Sequence, residues 1–232
     1  MTKNQQILAK IGGGSLALLL SLSLGKQASA VSVTFVENLS QTNDNTASVK
    51  SDAWTGSSFT TGSGSYKLES ATLLLTEYAA DANLFVRLYS NNGGKPGTQI
   101  TSFTKPGSIT TSLDNNTFTL TTPQALTANT TYWLISGISS GGSGNYRWGY
   151  TSSLAETGLS GWTIGDGYVV SSNQGASWSY NATGGPFQFS VNGTETPVPE
   201  PLTILGTGVV LGGIPILKKE YAKRKKKKGE DA

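Results

Sequence analysis

Three acids are the first residues to weigh for chemistry. Glu69, Glu77 and Asp81 sit within one apolar stretch and just beyond it. Two carboxylates held about 5–10 Å apart can hydrolyse a glycosidic bond, one as acid and the other as base or nucleophile. The spacing singles out no pair among them, and solvated strand ends are the simpler reading. Other catalytic pairs are missing. The chain has no His and no Cys. That removes Ser–His and Cys–His pairs, thiolate nucleophiles, disulfides and zinc–sulfur sites. We therefore expect no enzyme, with a glycan-active enzyme as the least favoured reading.

Binding chemistry has two further candidates. Oxygen ligands are plentiful, so any metal would be calcium rather than zinc. Asn43-Asp44-Asn45 and Gly165-Asp166-Gly167 are the candidate loops, but neither completes an EF-hand. No metal or other cofactor is expected. The second candidate is aromatic. Tyr146, Trp148 and Tyr150 alternate with Arg147 and Gly149, so on a strand the three rings share one face. Facing inward they are core, the favoured reading. Facing outward they form a platform on which sugar rings stack, and the domain becomes a carbohydrate-binding module.

The elements that must position these residues are strands. Runs rich in Thr, Ser, Val, Leu and aromatics recur at Val31–Val36, Leu68–Tyr78, Leu84–Tyr89, Thr117–Thr121 and Thr131–Ile138. They continue at Tyr146–Thr151, Trp162–Ile164, Tyr168–Val170, Trp178–Tyr180 and Phe187–Val191. Asn91 to Gly97 reads as a Gly-rich loop, and no amphipathic helix of useful length appears. The expectation is an all-β, antiparallel β-sandwich of jelly-roll or Greek-key kind over residues 31–197. Tyr132, after a polar turn and at a strand start, resembles the tyrosine corner of such folds.

Both ends read as processing segments. Lys3 and Lys10, an apolar run from Ile11 to Leu24, and Ala28-Ser29-Ala30 follow the order of a secretory signal peptide over residues 1–30, cut after Ala30. At the other end Val198-Pro199-Glu200-Pro201 precedes an apolar run of 16 residues, Leu202–Leu217, interrupted by glycines and Pro215. As a helix it would be about 24 Å long, short of a hydrocarbon core of about 30 Å. Eight of the 17 Lys and Arg then fall between Lys218 and Lys228.

Pro199-Glu200-Pro201, an interrupted apolar helix and a terminal basic cluster, over 198–232, resemble a PEP-CTERM sorting signal. The resemblance implies export in a Gram-negative bacterium or cyanobacterium. It also implies recognition by an exosortase, transient anchoring in the inner membrane, and removal of the tail. A second resemblance spans Ala53 to Tyr180. The Leu73-Leu74-Leu75 strand, Val86-Arg87-Leu88-Tyr89-Ser90, the Gly94-Lys95-Pro96-Gly97 turn, Leu126 to Trp133 and Trp148 are similar to the choice-of-anchor R type of surface domain. That type implies anchoring and supplies no site residues.

Charge agrees with a surface role. Residues 31–197 carry six basic and ten acidic side chains, a net charge of −4. Nucleic-acid binding needs a basic stripe, so no nucleic-acid partner is expected. The expected protein is exported, structural or adhesive, at the cell surface or in the extracellular matrix. Its expected partners are signal peptidase, an exosortase and an exopolysaccharide.

Overall fold

The computed structural model describes residues 31–196, all strand, turn and loop. Ala28, Ala30, Pro199, Glu200, Pro201 and the apolar run 202–217 lie outside the described residues. The strands are β1 (Ser32–Glu37), β2 (Asn45–Val49), β3 (Trp54–Thr60), β4 (Tyr66–Ala79), β5 (Leu84–Asn92), β6 (Lys95–Phe103) and β7 (Asp114–Leu126). They continue with β8 (Thr131–Ile138), β9 (Asn145–Tyr150), β10 (Thr157–Gly158), β11 (Thr163–Ser171), β12 (Ser179–Asn181) and β13 (Phe189–Glu195).

They form two antiparallel sheets. One has seven strands in the order β10-β1-β13-β4-β9-β2, with β7 on the other edge of β4. The second has six, in the order β12-β11-β3-β8-β5-β6. A Thr104–Thr119 bridge ties the end of β6 to β7, so the two sheets also meet at one side.

One apolar core lies between them. Leu68, Ala71, Leu73 and Leu75 of β4 meet Val86 and Leu88 of β5 and Leu134 of β8, all without solvent exposure. Phe59 of β3 reaches Phe189 of β13 at 6.5 Å between ring centroids. Trp162 closes the end of the core, stacked on Phe35 at 4.6 Å and edge-on to Tyr66 at 4.9 Å. Alternation along the strands sorts the outward residues. The outer face of the seven-stranded sheet carries Thr34, Asn192, Ser70, Thr72 and Thr117, linked by their own hydrogen bonds.

Several strands escape a hydropathy reading. β2 (Asn-Thr-Ala-Ser-Val) and β3 (Trp-Thr-Gly-Ser-Ser-Phe-Thr) are too polar to announce themselves, though β3 is almost wholly buried. The expected loop Asn91–Gly97 is instead a tight hairpin. β5 runs to Asn92, β6 starts at Lys95, and only Gly93 and Gly94 turn the chain, with φ of 59° and 79°. A two-residue turn of this kind needs positive φ at both positions, which Gly supplies without a Cβ clash. Tyr132 behaves as expected of a corner, its phenol oxygen accepting the Thr127 N–H at 2.9 Å.

The seven-stranded sheet forks. β13 pairs one edge of β4 along Tyr66–Leu73, and β9 takes over the same edge from Leu75 to Ala79. At the changeover Gln188 donates its N–H to the Gly149 carbonyl, and its own carbonyl accepts the Leu74 N–H. Three amides fill the gap. Asn38 bonds the Phe187 carbonyl and the Phe189 N–H at 3.0 and 2.8 Å. Gln188 Nε2 donates to the Gln41 carbonyl, and Asn43 Nδ2 donates to Gln188 Oε1.

Asn38→Ala leaves a buried N–H and a buried carbonyl unpaired. The expected loss is about 3 kcal/mol of unfolding free energy, measured by urea denaturation. Thr34→Ala, on the exposed face, is expected to change it by less than about 0.5 kcal/mol. Equal effects would contradict the assignment of the fork.

Candidate functional site

Tyr146 and Trp148 point inward and are fully buried. The favoured inward reading holds for Tyr146 and Trp148, and the alternative, a sugar-stacking platform at Tyr146, Trp148 and Tyr150, is corrected: two of its rings are core and the third lies against it. The reason lies in β9's neighbours. Trp148 pairs across to Leu75, an inward residue of β4, and stacks on Phe187 at 4.7 Å. Its indole N–H donates to the Gln188 carbonyl at 2.9 Å, so Trp148 also braces the fork. Tyr150 is partly buried against Phe187 and Tyr168.

The three acids do not form a glycosidase pair. Glu69 and Glu77 both lie on β4. Eight residues of strand at about 3.3 Å each separate them by about 26 Å, well beyond the range for paired carboxylates. Glu77 and Asp81 do come to one place, around the Tyr146 phenol, but Asp81 is already engaged. Its carboxylate accepts N–H groups from Asn83 (2.7 Å), Ser143 (2.6 Å) and Gly144 (2.9 Å). Its backbone accepts from and donates to the Tyr146 hydroxyl at 3.2 and 2.7 Å. The N–H groups of Asn83 and Ser143 hold the Asp81 carboxyl below its ordinary value. A catalytic acid needs the opposite shift. Burial pushes the Tyr146 phenol up, and the nearby Glu77 and Asp81 charges push the same way. Asp81 is thus a clasp joining the β4–β5 and β8–β9 turns.

The calcium candidates are engaged in a similar way. Asp44 accepts the Ser152 N–H at 2.6 Å, and hydrogen bonding from Ser152 lowers its carboxyl. Asn45 Oδ1 takes the Thr46 N–H. Gly165-Asp166-Gly167 belongs to strand β11, not to a loop, at an irregularity between Ile164 and Tyr168. Among the described residues no group of three or more acidic side chains converges.

A different aromatic cluster occupies the outer face of the six-stranded sheet. Trp54, Phe85, Tyr89, Trp133, Ile135 and Val169 pack there, with Trp178 laid partly over them. Trp54 and Phe85 meet edge to face at 4.7 Å. Gly137 makes room for them: a Cβ there would collide with both rings. Two aromatics stay partly open to solvent, Trp178 near Tyr89 and Tyr180 near Trp133. Arg87 lies among them, its guanidinium carbon 3.8 Å from the Phe85 ring centroid and 5.7 Å from that of Trp54. Beside this face, at the β2–β3 turn and the β11–β12 connection, is a half-open depression of about 280 Å³. Asp52, Val170, Ser172, Ser177 and Ser179 are among the residues that line it.

The two-residue period of the 84–89 run puts Arg87 opposite the apolar Leu84-Val86-Leu88 face, and this much a sequence reading reaches. It missed that Phe85 and Tyr89 flank Arg87 on that second face. The signal was present as Phe85-Val86-Arg87-Leu88-Tyr89, an aromatic at every other position around a cation.

Two tests follow. Trp148→Ala is expected to cost about 3–5 kcal/mol of stability, read by denaturant unfolding. A fold of unchanged stability would contradict the inward assignment. The pH dependence of Asp81 has a definite sign. Its folded pKa is depressed below the unfolded value of about 3.9, so its stabilisation is present above that pH and is lost as pH falls through the folded pKa. Thermal melts should show Asp81→Asn less stable than the native protein at pH 7, with the two converging as acid is added below about pH 4. Compared with protein-family models, with curated proteins and with solved structures, the chain matches none.

Proposed function

We propose that this is an exported structural or adhesive protein of the cell surface or extracellular matrix, built on a β-sandwich of jelly-roll or Greek-key kind. Signal peptidase cuts after Ala30. An exosortase-type enzyme reads Pro199-Glu200-Pro201 while the apolar run holds the tail in the inner membrane. The working surroundings are an exopolysaccharide matrix. The observation that carries this reading is the pairing of two address segments, one at each end of the sequence, around a mildly acidic polar domain.

The topology supports it. Ser32 of β1 pairs with Thr194 of β13, so the described chain begins and ends at one pole. A domain tethered there presents its other pole outward. That pole carries the β2–β3, β4–β5 and β8–β9 turns and the β11–β12 connection. Asp81 clasps two of these turns, which suits a surface that must keep its shape outside the cell.

A carbohydrate-binding module is the second reading. The outer cluster of Trp54, Phe85, Tyr89, Trp133, Trp178 and Tyr180 favours it, in place of the buried Tyr146 and Trp148. An enzyme is the least supported, since Asp81 is engaged and Glu69 is remote from Glu77.

The sorting claim is tested by expressing the chain with and without the segment after Pro199. The full chain is expected to lose mass at its C-terminus and reach the surface, and the truncated one to miss that destination. If the full chain keeps its C-terminal mass, or if the truncated form reaches the same place as the full chain, the reading fails.

A further inference from the structure

Among the described residues no acid pairs with Arg87. Its Nη2 donates to the Ser139 hydroxyl at 3.3 Å, and its Nε is buried with no hydrogen-bond partner among the described residues. Below it lie the Phe85 ring and, further out, Trp54. A guanidinium drawn out of water onto aromatic rings loses hydration that cation–π contact restores only in part. Its planar fork is shaped to take a carboxylate. The side chain remains partly exposed, so a ligand can reach it.

The rings around it add a second requirement. Tyr180 is 46% exposed, and Trp178 is partly exposed above Tyr89. The register runs Tyr180–Val169–Gly56–Ile135–Arg87 across five neighbouring strands. Four strand spacings put the ends of that row about 19 Å apart. A single sugar cannot bridge that span, whereas an oligosaccharide can. Asn91, whose Oδ1 accepts the Trp133 indole N–H, adds an exposed amide for hydroxyl groups.

We infer that this face binds an acidic oligosaccharide across the strands, with a uronate carboxylate on Arg87 and pyranose faces against Trp178 and Tyr180. The inference rests on the carbohydrate-binding reading and narrows its ligand class. One cation among rings, in a domain of net charge −4, does not suit a nucleic acid, which calls for many phosphate contacts. Long-range attraction is also weak, so affinity is expected to fall only modestly with salt.

The test is a titration of the purified full chain with oligogalacturonate and with a neutral oligoglucan of equal length, read by intrinsic tryptophan fluorescence. Every variant keeps the lysine tail, so a response arising from polyanion binding there would persist unchanged in Arg87→Gln and Trp178→Ala. The expected result is a saturable change with oligogalacturonate and little with the glucan. Arg87→Gln and Trp178→Ala should each weaken binding at least tenfold, with Arg87→Lys between. Circular dichroism melts check folding. If Arg87→Gln does not fold, Trp178→Ala decides. Equal response to both sugars would overturn the uronate assignment and leave carbohydrate binding standing. Response to neither would overturn both. Native-like binding by Arg87→Gln or Trp178→Ala would remove the site.

Discussion

The fold turns on one edge of β4. Fourteen residues of strand are paired there by two different partners in succession, β13 and then β9. Two strands leaving one edge must diverge, and divergence exposes backbone groups that the ladder no longer pairs. Buried N–H and C=O groups cannot be left so. The amides of Asn38, Asn43 and Gln188 fill that gap, and the Trp148 indole braces it from the core side. The inward direction of Trp148 follows from the same geometry. The fork therefore fixes the sheet's connectivity and decides the fate of the aromatic stripe on β9.

The second sheet has two aromatic faces rather than one. Its inner face joins the common core through Phe59, Tyr132 and Leu134. Its outer face carries a smaller cluster that no other sheet covers, only Trp178 and its connecting segment. Outward positions on a sheet are usually polar, as they are on the seven-stranded sheet. A glycine at 137 makes the departure possible, because the Trp54 and Phe85 rings occupy the space a side chain would need. Arg87 sits in this cluster with its guanidinium over the Phe85 ring, which gives the outer face chemistry that the apolar core lacks.

The acids are engaged in structure. Asp81 accepts two backbone N–H groups, and Asp44 one, from a turn far away in sequence, across separations of 62 and 108 residues for Ser143 and Ser152. Depressed carboxyls of this sort hold loops in place and are poorly suited to proton transfer.

The class of fold was legible in the sequence. Alternation at Leu84-Val86-Leu88, the apolar run at Leu73–Leu75 and the polar turn before Tyr132 each depend on neighbours a few residues away, and all appear as read. Residues 31–36, 84–89 and 131–138 needed nothing beyond that local periodicity. β2 and β3 could not be read this way. Their Ser, Thr and Gly are buried because neighbouring strands and the opposite layer cover them, which is a long-range fact. The same holds for the rings. The sequence by itself determined that Tyr146, Trp148 and Tyr150 share one face, and that Phe85, Arg87 and Tyr89 share another, since a strand's period is two. Only the tertiary structure decided which face meets the core. That choice was made by the partner strands, β4 beside β9 and β8 beside β5, through packing between residues far apart in the chain.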